Sequence, residues 1–498
     1  MTAALLHELL DRTAAVRPDA PAIGQGTAVL TFGELDAASR RVAAWLVGLG
    51  VMAGDRVVAV LPTSLAVPAM VYGCSRAGAV FSLINDDSPA VTVAHVLDDC
   101  RPALLITDDG AGRRLATSRG IRHASAEEMR LAARNGPVTT VPARTLTVDP
   151  ICLIYTSGST GMPKAVVSTH AQMLFAVTAI QSQLEYHSTD VVFCALPLSF
   201  DYGLYQVFLS TLAGARLQLG SAADAGPQLL RQLGRCGASV LPAVPALALG
   251  LARLLSRPGA QPPPLRLLTN TGAAMRPDVL HELRRRVPGL QIQLMFGLTE
   301  CKRAAIMPKD EDLRRPGACG RALPGTEIFT VDPAGTRLPP GEVGEIVVRG
   351  PNVMAGYWRR PELTARRFFR VDGLFPQLRT GDHGWLDEDG FLYFVGRHDD
   401  LYKERGTRVS VTEVEAAAHR VPGVDAAAVL PPPPDADGAV LFAVTELAPH
   451  ELLARLRSEI EGRKAPGTCV VVPEIPLTRN GKVDRARLAT LRTEASRV

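Results

Sequence analysis

The apolar residues of this chain follow two alternating periods. ASRRVAAWLVGLG has them at helical spacing and ends at Gly50. DRVVAVLP is a short apolar strand closed by Pro62, and VPAMVYGCSRAGAVFSLIN reads as a helix followed by a strand. The same beat returns at CRPALLITDD, VVFCALPLSF and GASVLPAVP. Alternation of this kind predicts an α/β fold of layered helices and mostly parallel sheets. No short internal repeat occurs. Residues 131–149 lose the periodicity and read as a linker. SRPGAQPPP, Ser256 to Pro264, reads as a surface loop ahead of the strand LRLLTN. From about Gly317 short strands and turn signals dominate, as in GTEIFTVDPAGTRLPPGEVGEIVVRG, which predicts a small β-rich, barrel-like subdomain. After the charged stretch RHDDLYKERG, helix–strand alternation resumes. The expected division is a large domain over 1–397 and a small α+β domain over 398–498.

Composition narrows the possibilities. The chain has 498 residues, 47% hydrophobic and 21% charged, enough for two domains and a large core. A net charge of +4 with scattered signs gives no nucleic-acid footprint, and Arg284-Arg285-Arg286 reads as a solvated helix end. The opening MTAALLHELLDRTAA is an amphipathic helix; His7, Glu8, Asp11 and Arg12 interrupt any signal-peptide core. No charge-free apolar window of about 18 residues appears, so no membrane span is expected. The cysteines (Cys74, Cys100, Cys152, Cys194, Cys236, Cys301, Cys319 and Cys469) form no CxxC pair. A structural zinc or disulfide framework is not expected, and a reducing, cytoplasmic setting is.

One segment breaks the pattern with chemistry. After the apolar strand ICLIY comes TSGSTGMPK, Thr156 to Lys164, and then AVVSTH. Glycines let the backbone approach an anion, hydroxyls and N–H groups cradle it, and Lys164 adds a point charge. A plain hairpin turn has a similar composition. The Walker loop does not fit: Pro163 precedes the lysine, no Ser or Thr follows it, and proline obstructs the helix N-terminus that would receive phosphate.

TSGSTGMPK is followed in order by FGLTE (Phe296–Glu300), RTGD (Arg379–Asp382), GRHDD (Gly396–Asp400) and RNGK (Arg479–Lys482), with GEVGEIVVRGPNVMAGYW between. Over nearly its whole length the chain resembles the adenylate-forming superfamily of acyl-CoA synthetases, peptide-synthetase adenylation domains and luciferase-like enzymes. The resemblance implies ATP and Mg²⁺ as cofactors, a carboxylic acid as substrate, and an acyl-adenylate formed with release of pyrophosphate. It implies that Thr156, Ser157, Gly158, Ser159, Thr160, Gly161 and Lys164 hold the β- and γ-phosphates. Glu300 would hold the metal and Thr299 the α-phosphate. Phe296 would flank the adenine opposite Gly272 and Ala273, and Asp382 would take the ribose hydroxyls. Arg397 would contact ribose or phosphate, and Lys482 would be the catalytic lysine. The resemblance also implies that Asp399 is the hinge of a mobile C-terminal domain and that Gly406 would leave room in the thiol channel. A relative that had lost catalysis would lack Lys164, Glu300, Asp382 or Lys482, and all four are present.

The acid is less legible. The specificity helix should begin in LSFDYGLYQ, where Asp201 matches the aspartate that pairs with the substrate ammonium in amino-acid-activating relatives; the same residue also reads as a helix N-cap. Tyr202, Tyr205, Pro242, Thr269, Thr271, Met295, Arg303 and Ala304 are further pocket positions. GLTECKRA places Lys302 and Arg303 just beyond Glu300, either facing an acidic or hydroxylated substituent or lying on a helix surface. Tyrosines and threonines suit a small polar amino or aryl acid better than a fatty chain. The acceptor stays open between the phosphopantetheine of a separate carrier protein, since the chain holds no carrier-like GGDSL block, and free CoA. A diverted member that activates nitrite to diazotise an aryl amine is a third reading.

Overall fold

The computed structural model of the protein describes residues 3–138, 145–156, 162–221, 223–371, 376–397, 401–404, 407–432, 438–460, 464–478 and 481–495. The chain divides into two compact units, Met1–Ile328 with Val348–Leu378, and Phe329–Val347 with Arg379–Val498.

The first unit is built on two sheets. One runs, strand beside strand, through Gly356–Tyr357, Lys164–Thr169, Pro150–Thr156, Val80–Ile84, Arg56–Val60, Leu104–Thr107 and Arg122–Ala124. Its inner strands are parallel, with Val57 opposite Phe81 and Leu104. Both faces are covered. Val57 and Ala59 join one apolar cluster with Leu35, Val42 and Met70, while Val58 and Val60 join another with Val96 and Leu105. Burial on both sides explains why these strands read as continuous apolar runs rather than as alternations. The other sheet places Gln291–Phe296, Leu267–Asn270, Val240–Ala243, Val191–Cys194, Arg216–Leu219 and Pro21–Gln25 side by side in parallel. The helix Phe32–Gly48 starts at a capping box in which Thr31 and Glu34 satisfy each other's backbone N–H groups, and Thr169 and Gln172 do the same for His170–Leu184.

One expectation needs correction. Residues 131–135 are not linker; they complete the helix Ala126–Asn135, started by a Ser125–Glu128 capping box. Its buried side chains are few (Ala126, Met129 and Ala133), too sparse to register as a period. The TSGSTGMPK segment joins two antiparallel strands, with Thr156 opposite Lys164 and Tyr155 opposite Ala165. A return strand, not a helix, follows the loop, so the strand–loop–helix of a Walker site is absent here. Residues 157–161 lie outside the described residues.

The second unit carries most of the strand Pro376–Leu386, from Arg379 on, antiparallel to Leu392–Arg397, and the hairpin Leu401–Glu404 with Thr407–Ser410. Beyond them Val424–Leu430 and Val440–Thr445 pair antiparallel, and Thr468–Val471 adds a parallel strand. Val429 and Leu441 face the helices Val411–Arg420 and Pro449–Glu459, while Ala428 and Phe442 pack with Leu488 of the last helix. The fold is therefore the expected α/β one, with a large N-terminal part and a small C-terminal α+β part. No helix among the described residues is long and apolar enough to cross a membrane, and none of the cysteines forms a disulfide.

Candidate active site

The return strand after TSGSTGMPK fixes Lys164 at its first position. The ammonium sits 4.1 Å from the centre of the Tyr357 ring and donates to the Tyr357 hydroxyl at 3.0 Å. That hydroxyl in turn donates to Glu300 Oε1 at 2.7 Å. The lysine and the glutamate, 136 residues apart in number, are thus joined through one hydroxyl. The entrance to the strand is steadied by His95, whose Nε2 lies 2.7 Å from the Pro163 carbonyl oxygen.

Glu300 belongs to a tightly pinned turn. Cys301 N–H donates to the Leu298 carbonyl and Ala304 N–H to that of Phe296. Lys302 adopts a left-handed backbone, φ 62°, which swings Arg303 back toward the sheet. Gly297 is required there: a Cβ at this position would lie 2.0 Å from the Lys302 carbonyl oxygen. Buried Asn352 donates from Nδ2 to the carbonyls of Cys301 and Arg303 at 3.3 and 3.1 Å, and Met354 N–H donates to that of Glu300.

The turn delivers two cations to Asp201. Lys302 is 0% exposed, Arg303 4% and Asp201 4%. Lys302 Nζ stands 4.0 Å from Asp201 Oδ2, and an Arg303 nitrogen stands 3.6 Å from Oδ1. Neither approach is a hydrogen bond, and both Lys302 Nζ and Asp201 Oδ2 are buried without one. The guanidinium lies over the Tyr202 ring at 4.6 Å, and the Lys302 ammonium 5.7 Å from the Tyr205 ring centre. Tyr202 is anchored by its hydroxyl to the Thr269 carbonyl and hydroxyl, at 2.9 and 2.6 Å. Burial pushes the phenols of Tyr202 and Tyr205 upward and the neighbouring Cys152 thiol up to about 12, so all three stay neutral. The formal sum of Asp201 (−1), Lys302 (+1) and Arg303 (+1) is +1, in a buried place.

Two readings are corrected here. Asp201 is the first residue of the helix Asp201–Ala213, not its cap; the N-cap is Phe200, which supplies no side-chain bond. Arg303 is not on a helix surface. Of the other pocket positions, Pro242, Thr269, Thr271, Met295 and Ala304 are buried. Pro242 pairs with Thr269 on neighbouring strands. The strands Leu267–Asn270 and Gln291–Phe296 are parallel, so Gly272–Ala273 and Phe296 emerge at the same carboxyl edge, the usual place for a ligand in an α/β sheet. Gly272 has φ +95° and is exposed with Ala273, while Thr299 is half-buried.

The second unit holds the remaining candidates. Asp382 is buried on the strand Pro376–Leu386, opposite Arg397, and its N–H donates to Thr380 Oγ1 at 3.1 Å. Exposed Lys482 closes a tight turn, its carbonyl accepting from Thr478 N–H at 2.6 Å, with Gly481 at φ +71°. Ser157, Gly158, Ser159, Thr160, Gly161, Asp399 and Gly406 lie outside the described residues, as does the side chain of Arg397.

The model of the AMP-binding enzyme family matches residues 10–358, and that of the AMP-binding enzyme C-terminal domain matches 413–482. The chain belongs to the AMP-binding enzymes. Among its relatives, a probable non-canonical nonribosomal peptide synthetase, CymA of Salinispora arenicola, is 33% identical over 98% of this chain. The match is only 6% of that synthetase's own length. A feruloyl-CoA synthase of Amycolatopsis is 32% identical, covering 95% of this chain and 96% of its own. The crystal structure of VinN in complex with L-aspartate is 40% identical, covering 79% of this chain and 99% of that one, with a TM-score of 0.72. This AMP-binding enzyme is accordingly an AMP-forming ligase that activates carboxylic acids.

Three residues that hold the site escaped sequence reasoning. Tyr357 sits in the GYW block, where only its bulk shows; Asn352 and Gly297 act on backbone carbonyls, which leave no local signature.

Proposed function

We propose that this AMP-binding enzyme adenylates a small amino acid bearing a second carboxylate, and passes the acyl group to the phosphopantetheine thiol of a separate carrier protein. The observation that carries this reading is the buried net charge of +1 around Asp201, Lys302 and Arg303. A substrate with one ammonium and two carboxylates carries net −1 and neutralises it: the ammonium pairs with Asp201, and one carboxylate with Lys302 and Arg303. The other carboxylate is left for chemistry. A monocarboxylic or long-chain acid would leave the cations unanswered, at a cost that discriminates strongly. The aspartate held by VinN supports the same class.

In the first step a carboxylate oxygen attacks the α-phosphorus of ATP and the bond to the β-phosphate breaks, releasing pyrophosphate. Thr156 and Lys164 would receive the departing charge, Lys482 would steady the attacking oxygen, and Asp382 would fix the ribose. Glu300 fits a magnesium ion. Among the described residues no cluster of three or more acidic, histidine or cysteine ligands exists, and a lone buried carboxylate suits a hard cation that draws its other ligands from phosphate and water. Held there by Glu300, magnesium would supply positive charge against the charge that develops on the phosphates. In the second step the thiol sulfur attacks the acyl carbon, AMP leaves, and the thiol proton passes to solvent. Residues 398–498, turning at Asp399, would withdraw Lys482 for this step, and Gly406 would leave room for the pantetheine arm.

Free CoA is the second reading, favoured by the full-length match to a CoA ligase. ATP–pyrophosphate exchange over acidic amino acids, neutral amino acids, aryl acids, fatty acids and nitrite tests the substrate. Acidic amino acids should exchange at least roughly 30-fold faster than their neutral counterparts; equal rates would remove the charge argument. CoA and a phosphopantetheinylated carrier, offered in parallel, separate the acceptors.

A further inference from the structure

From the chain of contacts between strand and turn we infer that Tyr357 is a positioning residue for the pyrophosphate-forming step, holding the phosphate-loop lysine and the metal carboxylate in working register. The inference rests on Lys164 and Glu300 having the roles proposed above. The tyrosine hydroxyl is the shared joint: it accepts from Lys164 Nζ at 3.0 Å and donates to Glu300 Oε1 at 2.7 Å. This leaves Glu300 its other oxygen for a cation and spaces the ammonium from the carboxylate by a full hydroxyl. A direct lysine–glutamate ion pair would consume both the phosphate donor and the metal ligand.

The tyrosine is built to be immobile. It is 4% exposed and lies on the edge strand Gly356–Tyr357, with Tyr357 opposite Val166 and Gly356 opposite Val167. Its backbone N–H donates to Thr364 Oγ1 at 3.0 Å, and the Phe368 ring meets its ring edge-on at 5.2 Å. Gly356 has φ +123°, and a Cβ there would stand 2.4 Å from Thr364 Cγ2, so the segment can approach this closely only with glycine. Trp358 N–H and Ala355 N–H donate to the Ala165 and Val167 carbonyls, which ties the tyrosine to the very strand that begins with Lys164. Met354 N–H, donating to the Glu300 carbonyl, ties it to the turn as well.

Tyr357→Phe keeps the ring, its contact with Lys164 and its packing, and removes only the hydroxyl. The expected result is an approximately tenfold rise in the Mg²⁺ needed for half-maximal ATP–pyrophosphate exchange. A similar loss of MgATP affinity should appear by calorimetry without any acid, while the KM for the acid stays within about twofold and the melting temperature is unchanged. An unaltered Mg²⁺ midpoint and MgATP affinity would overturn the inference, as would an equal loss in the acid KM. Glu300→Gln and Lys164→Ala, measured in the same calorimeter, isolate the underlying reading. If neither weakens MgATP, the assigned roles fail; if both do and Tyr357→Phe does not, only the role of Tyr357 fails.

Discussion

Lys302→Met is the substitution that asks most of the charge argument. Methionine keeps the length and apolar stem of lysine and removes the ammonium. That ammonium stands 4.0 Å from Asp201 Oδ2 with no hydrogen bond. Two unit charges at this distance interact by about 4 kcal/mol at an effective dielectric constant of 20. A substrate carboxylate seated at similar range loses up to that much, less what Arg303 retains, so the expected loss is about 2–4 kcal/mol. In kcat/KM this is roughly 30- to 1000-fold against an acidic amino acid. Alanine or another acid without the second carboxylate should change by less than about threefold, because it never engaged the ammonium. Stability should not fall, since an apolar side chain replaces a buried charge that has no hydrogen-bond partner, and the formal charge of the cluster drops from +1 to 0. The assay is pyrophosphate exchange with matched acidic and neutral acids, alongside a melting curve. A uniform loss across all acids, or a lower melting temperature that accounts for the loss, would refute the reasoning.

Lys482→Ala should depress adenylation by roughly two orders of magnitude or more while leaving MgATP binding nearly intact; untouched pyrophosphate exchange would remove the lysine from the chemical step. Gly297→Ala should destabilise by about 1–3 kcal/mol, because its Cβ meets the Lys302 backbone rather than a movable side chain. Gly250→Ala, in the helix Pro245–Leu255 with open space around it, should stabilise slightly; urea midpoints that rank the two the other way would contradict the geometry. His7 and His170 are each held near pKa 4, first by burial and then by a positive neighbour, Arg76 for His7 and His7 for His170. Their folded values lie below the ordinary 6.5, so the unfolded chain takes up protons first. Their contribution, on the order of 3 kcal/mol for each histidine, is complete above pH 6.5 and drains away as pH falls from 6.5 through 4. Urea midpoints that stay flat over that window would count against it.

The adenylation motifs were legible because they are local: TSGSTGMPK, FGLTE and RNGK each announce themselves in a few consecutive residues. The layered fold was legible because doubly buried strands such as Arg56–Val60 must be apolar throughout. What escaped depends on distant partners. CKRA reads equally as facing the pocket or as a helix surface, and nothing within it shows that a left-handed Lys302, a glycine five residues earlier and an asparagine fifty residues later drive both cations inward. The helix Ala126–Asn135 escaped for the opposite reason: it buries so little that capping, rather than periodicity, defines it. Tyr357 was visible as an aromatic, but its hydroxyl gains meaning only where two strands and a turn converge.

The pinned turn from Gly297 to Ala304 carries both the carboxylate proposed for the metal and the cations proposed to select the acid. Substrate choice is therefore not a detachable module. A side-chain change that keeps the backbone, as in Lys302→Met, leaves the turn in place, whereas grafting in a foreign 301–304 backbone, or a β-branched residue that resists the left-handed φ of 62° at position 302, would disturb Glu300 through the backbone they share. The portable cassette is larger: the turn, the glycine beneath it, and the strap from Asn352 to Tyr357. Swaps that respect those borders should keep their turnover, and swaps that cut through them should lose it for every acid alike.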